Sequence, residues 1–121
     1  FIDAWNSHSY ANPGFSASPL RTDKMSLRGY QHELAFIIER TGRNLDVYIT
    51  ETGWIDNART GRWLGEYYRY AFDSIWSDDR IKAVTPFILQ GSPGPFEGFS
   101  FLDAQGEPTR HYRAYRALLS E

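Results

Sequence analysis

Three short apolar runs, each followed by a loop and then a segment of helical period, leave this chain few folds to choose from. The runs lie at residues 1–8, 46–50 and 83–89, and the helical segments at 23–41, 61–76 and from about Pro108 onward. In the first helical segment Leu27, Tyr30, Leu34, Ile37 and Ile38 recur at helical spacing, and Gly42 stops it. In the second, Leu64, Tyr67, Tyr68, Ala71, Phe72 and Ile75 make a broad apolar face. The last carries Tyr112, Tyr115, Leu118 and Leu119, with Pro108 placed near its start. Strands alternating with helices imply an α/β fold with a parallel sheet and right-handed crossovers. The loops after strands are long and the turns into strands short, which is the asymmetry of a (β/α)8 TIM barrel. Such a barrel takes about eight units of roughly 30 residues, and 121 residues supply three. The expectation is one segment, 1–121, holding three consecutive βα units of a partial barrel. On their own they leave two open edges and one uncovered sheet face. The sequence opens at Phe1 in what reads as mid-strand, so the chain is expected to be part of a longer protein.

Composition removes several classes of function. Thirteen basic and fifteen acidic residues give a net charge of −2, so nothing recommends nucleic acid or an anionic membrane as partner. The absence of cysteine rules out disulfides and thiolate metal sites. No apolar run approaches the roughly 20 residues that span a bilayer. Aromatic residues make up 17%, which points to a large core, a sugar-binding surface or both.

The stretch Ile49-Thr50-Glu51-Thr52-Gly53-Trp54-Ile55 carries the strongest chemical signal. It places a carboxylate at the C-terminal end of the second strand, where parallel α/β proteins keep their ligands. Strict alternation puts Val47, Ile49 and Glu51 on one face, so two core aliphatics lead to an acid. An acid buried there costs several kcal/mol unless it is paired or used, on the order of other buried-charge penalties. The plainer reading is that Glu51 caps the helix that follows. Gly53 and Trp54 favour the functional one, as a loop suited to close approach and stacking.

The first strand ends in Asn6-Ser7-His8-Ser9-Tyr10, whose alternation puts Asn6, His8 and Tyr10 on one side. Parallel neighbours lie about 4.8 Å apart, close enough for Tyr10 to donate its hydroxyl to Glu51. Such a bond favours the ionised carboxylate and orients it, as a nucleophile requires.

His8-Ser9-Tyr10, Thr50-Glu51-Thr52-Gly53-Trp54 and Phe87-Ile88-Leu89-Gln90 together resemble the last three strands of the retaining glycoside hydrolases of clan A, the cellulase-like and β-glucanase-like families. The resemblance covers essentially the whole chain. It implies hydrolysis of β-glycosidic bonds in an oligosaccharide or polysaccharide, with Glu51 as nucleophile and with His8 and Tyr10 lining the subsite of the cleaved bond. Asn6, Trp54, Gln90 and Phe96 are the candidate sugar-binding residues, with Phe99 a further stacking surface. No metal or organic cofactor is called for. Localisation is open from the residues, and only the resemblance points to secretion.

Two departures stand out. The family's acid/base is a glutamate preceded by asparagine at the end of the fourth strand, and no Asn-Glu dipeptide occurs here. Retaining hydrolysis needs two carboxyl groups about 5–5.5 Å apart, so this segment alone is expected to be inactive. The family's sugar-stacking tryptophan on the eighth strand is also missing from residues 86–91. One alternative is a non-catalytic carbohydrate-binding or scaffold protein. Another is a stand-alone α/β domain that hides its edges by self-association, with another copy completing a barrel.

The remaining candidates have structural readings. Glu33, Glu39 and Glu66 sit on helices as solvated faces or arginine partners. Trp63 and Trp76, at the two ends of one helix, read as core. Asp103 and Glu107 flank a turn, whereas Glu97 overhangs the proposed active face. His32 and His111 show no metal-ligand spacing with any acid.

Overall fold

A computed structural model of the chain describes residues 2–120. It is an α/β fold whose three strands, β1 (Ala4–Ser7), β2 (Asp46–Thr52) and β3 (Ile81–Pro86), form one parallel sheet in sequence order. Helix α1 (Gly29–Thr41) connects β1 to β2, and α2 (Leu64–Ser74), entered through a 3-10 turn at Gly61–Trp63, connects β2 to β3. A second 3-10 turn (Glu97–Phe99) and α3 (Arg110–Leu119) complete the order.

The β2 sequence alternates as its pleat requires. Val47 and Ile49 are buried beneath the helices, while Tyr48 and Thr50 point to an open face shared with Asn6, Ala83 and Thr85. Tyr30 and Leu34 from α1 and Leu64, Tyr68 and Ala71 from α2 complete the core with Ile75. Withdrawing an aliphatic side chain such as Leu34 or Ile49 from water contributes about 1.5–3 kcal/mol. The Tyr30 hydroxyl donates to the Ile75 carbonyl and to Asp78 Oδ2, both at 3.1 Å, which ties α1 to the turn ahead of β3. In that turn the Arg80 guanidinium holds Asp78 down at about 2.

Several element ends differ from the sequence reading, each for a local reason. Residues 23–28 form turns instead of the first turns of α1. Asp23 accepts the Met25 amide on Oδ1 at 2.9 Å, and Ser26 bonds the Asp23 carbonyl and the Arg28 amide. Short polar side chains of this kind compete with the helical hydrogen bonds. Gly42, at φ +72°, then ends α1 by returning its N–H to the Ile38 carbonyl at 2.8 Å. β1 is shorter than expected, so His8 and Tyr10 follow the strand instead of lying within it; Phe1 lies outside the described residues. β3 begins two residues earlier and stops at Pro86, which has no N–H to extend the ladder. Beyond it Ile88 makes only an isolated bridge with Ser100. Trp76 is buried against Phe72, but Trp63 stands at the surface under the Arg62 guanidinium, 4.8 Å from the ring centre.

Among the described residues no helix is long and apolar enough to cross a membrane.

Candidate functional site

Glu51 does not sit where simple alternation places it. The β2–β3 register shifts between Ile49 and Thr52, and a one-residue irregularity moves the following side chains to the other face. Thr52 therefore turns inward, fully buried, and donates to the Ser9 carbonyl at 2.6 Å. Glu51 joins the open side, where its Oε2 accepts the Tyr10 hydroxyl at 2.9 Å and lies 3.6 Å from His8 Nδ1. Its side chain keeps about a third of its surface exposed. Glu51 is thus neither a core acid continuing the Val47–Ile49 face nor a helix cap, since the turn into α2 has no side-chain cap.

The neighbouring polar groups form a directed chain. Thr50 Oγ1 donates to Asn6 Oδ1 at 2.5 Å, which commits the hydroxyl proton. His8 Nε2, 3.1 Å from the same oxygen, must then be the donor. The histidine proton is fixed on Nε2, and Nδ1 is left facing the carboxylate.

Tyr10 is held as a donor. Burial first, and then its bond to the Glu51 carboxylate, push the phenol well above its ordinary value. Its ring is gripped edge-on by Phe15, Phe87 and Phe99, with ring centres 5.2, 6.2 and 6.3 Å away. Phe15 has φ +54°, a left-handed conformation that costs a bulky residue energy and is kept only where surroundings enforce it. Here its carbonyl accepts the Ile55 amide at 2.9 Å and its ring meets Phe99.

These rings, with Glu51, Ile55, Pro95 and Phe96, enclose a pocket of about 400 Å³, within the size range of small-molecule sites. Glu51 stands between two surfaces, the polar trio Asn6, Thr50 and His8 on one side and the aromatic pocket on the other.

Two residues read from the sequence as sugar contacts lie elsewhere. Trp54 is fully buried, with its indole N–H donating to the Ala17 carbonyl at 2.9 Å and its rings packed on Tyr67 and Tyr68. Gly53, at φ +139°, turns the chain so that the tryptophan drops into the core. Gln90 spends its amide on the Asp103 carbonyl at 2.7 Å and does not line the pocket at Glu51. Glu97 faces a separate depression with Asp56, Asp103 and His111. Asn6, His8, Tyr10, Glu51 and Phe96 do converge. Thr50, Phe15 and Ile55 were missed as site residues. Thr50 shares the even-numbered face with Asn6 and His8 across the sheet, a signal the alternation contained. Phe15 had only the turn-forming Asn12-Pro13-Gly14 before it.

Among the described residues no group of three or more histidine, aspartate or glutamate side chains is placed to hold a metal ion. Comparison with protein-family models, with curated proteins and with solved structures finds no match, so the arrangement at Glu51 is read from its own geometry.

Proposed function

We propose that this chain is part of the catalytic barrel of a retaining β-glycoside hydrolase of the cellulase/β-glucanase-like kind, with Glu51 as nucleophile. The observation that carries the reading is the carboxylate at a strand's C-terminal end, about a third exposed and oriented by a donated tyrosine hydroxyl. A carboxylate so held is acceptor-only and faces solvent, as attack on an anomeric carbon requires. Its Oε forms the ester to that carbon while the glycosidic oxygen departs with the bonding electrons, and water then hydrolyses the ester. The Asn6 Nδ2–H groups, with the lone pairs of Thr50 Oγ1 and His8 Nδ1 that the trio's own bonds leave over, offer hydrogen bonds to hydroxyls of the sugar under attack.

The reaction needs a second carboxyl about 5–5.5 Å from the first. Among the described residues, the side chains grouped around Glu51 contain none. The reading therefore assigns the acid/base to further βα units that complete the barrel, consistent with outer edges of β1 and β3 that have no strand partner among the described residues and with the open sheet face. Replacement of Glu51 by glutamine in the complete protein is expected to abolish hydrolysis of β-glycosides while leaving the fold intact. Hydrolysis persisting near the wild-type rate would sink the assignment.

The missing second carboxyl also favours a second reading, a carbohydrate-binding protein without turnover. Calorimetric titration of the complete protein with oligosaccharides separates the two: saturable binding with no reducing ends released, in wild type and Glu51→Gln alike, selects the binding protein.

A further inference from the structure

We infer that the pocket beside Glu51 receives the aromatic aglycone of an aryl β-glycoside, an inference that rests on the hydrolase reading and names its substrate class. The surface at Glu51 is divided in two. Asn6, Thr50 and His8 present hydrogen-bonding groups on one side. Phe15, Ile55, Phe87, Phe96 and Phe99 present hydrocarbon on the other.

A second sugar in that pocket would bring a hydroxyl on nearly every carbon. Among the described residues lining the pocket, Tyr10 is the polar side chain besides Glu51, and its hydroxyl proton is already given to Glu51. Hydroxyls buried there without partners would each cost on the order of 1–3 kcal/mol. An aromatic ring carries no such penalty. The phenylalanines meet one another edge to face, Phe87 with Phe96 at 5.3 Å and with Phe99 at 5.5 Å between ring centres, the packing a further ring can extend. About 400 Å³ leaves room for a fused bicyclic ring system.

The chemistry agrees with the ligand. Attack by Glu51 Oε on the anomeric carbon breaks the bond to the aryl oxygen, which takes the electron pair and leaves as phenolate before gaining a proton from water or the acid/base. A phenol, at about 10 like the tyrosine side chain, needs less proton assistance to leave than a sugar alcohol does.

The test reads binding without turnover. The protein is titrated calorimetrically with 2-naphthol, glucose and cellobiose, in wild type, Phe96→Ser and Phe96→Leu. Phe96 is half exposed, so its replacement leaves the fold standing. The expected result is saturable 2-naphthol binding that Phe96→Ser weakens roughly tenfold and Phe96→Leu largely restores, with no Phe96-dependent binding of either sugar. The inference is overturned by absence of 2-naphthol binding, by binding indifferent to Phe96→Ser, or by cellobiose binding that depends on Phe96 to the same degree. Loss of hydrolysis in Glu51→Gln together with any of those results removes only the aryl substrate. Phe96-dependent 2-naphthol binding in a complete protein that hydrolyses no glycoside supports the pocket's aromatic occupant and removes the hydrolase reading.

Discussion

Tyr10 orients Glu51 only while its phenol keeps its proton, and its surroundings secure that at any pH an enzyme meets. Tyr10→Phe keeps the ring among Phe15, Phe87 and Phe99 and deletes its hydrogen bond to the Glu51 carboxylate. Under the hydrolase reading kcat/KM should fall roughly 10- to 100-fold, the range for a hydrogen bond to a charged group, with Tm nearly unchanged. An equal loss of activity and stability would mean that the residue acts through the fold. His111 gives a second prediction, on stability. It is buried, its Nε2–H donates to the Gly98 carbonyl at 2.8 Å, and its Nδ1 accepts the Tyr68 hydroxyl at 2.8 Å. Burial lowers its folded-state pKa below the ordinary 6.5, so between the two values the unfolded chain binds more protons. Stability is then full above about 6.5 and is lost as pH falls through that window. Thermal melts should show Tm dropping on acidification below 6.5, and His111→Gln should flatten that limb. His111→Gln should also cost about 1–3 kcal/mol at neutral pH through the lost bonds. An unchanged slope in the variant would rule His111 out as its source.

The loop bearing Phe96 and Phe99 is clamped to the loop after β2 at one glycine. The Gly98 carbonyl accepts the Asp56 amide as well as His111, both at 2.8 Å, and a Cβ on Gly98 would come within 2.6 Å of Ile55 Cγ1. Gly98→Ala must therefore push the 3-10 turn away from Ile55, and the aromatic wall of the pocket moves with it. The expected cost is about 1–3 kcal/mol of stability, with weakened 2-naphthol binding. Gly65→Ala is the control, since its Cβ meets nothing within 4 Å on the exposed side of α2. It should stabilise by about 0.5–1 kcal/mol and leave binding alone. Parallel melts of the two variants decide whether the effect belongs to the contact or to glycine replacement in general. At this scale the sequence was informative where periodicity rules. The strand–helix alternation, the apolar face of α2 and the Gly42 stop were all readable because each depends on neighbours within a few residues. Trp54 and Gln90 were misplaced because loop side chains obey no period. Their positions follow from the Ala17 and Asp103 carbonyls, 37 and 13 residues away. The Glu51–Tyr10 pairing was legible, since it needs only two adjacent parallel strands, whereas the register shift that brings Glu51 to the open side left no mark in the alternation.

Three βα units bury one face of a sheet and leave the other bare, and that imbalance governs how the molecule behaves in solution. Tyr48 is 44% exposed on the open face, and the outer edges of β1 and β3 have no strand partner among the described residues. Beside the β1 edge, Trp5, Met25, Phe36 and Ile37 line an apolar depression of about 580 Å³. Apolar surface next to an open sheet edge drives association. The 121-residue chain alone should therefore sediment as a concentration-dependent mixture of species. Met25 and Phe36 are more than half exposed, at 54% and 58%, so Met25→Glu with Phe36→Glu removes apolar surface without opening the core. In the isolated chain the pair should shift the mixture toward monomer and leave Tm within error. In a longer protein whose further βα units cover that surface, the same pair would bury two unpaired carboxylates, and stability should fall by several kcal/mol. Opposite effects in the two contexts are what a partial barrel requires. A monodisperse, stable 121-residue monomer at high concentration, with the double variant neutral in both settings, would instead describe a domain complete on three strands, and the barrel on which the hydrolase reading rests would fall with it.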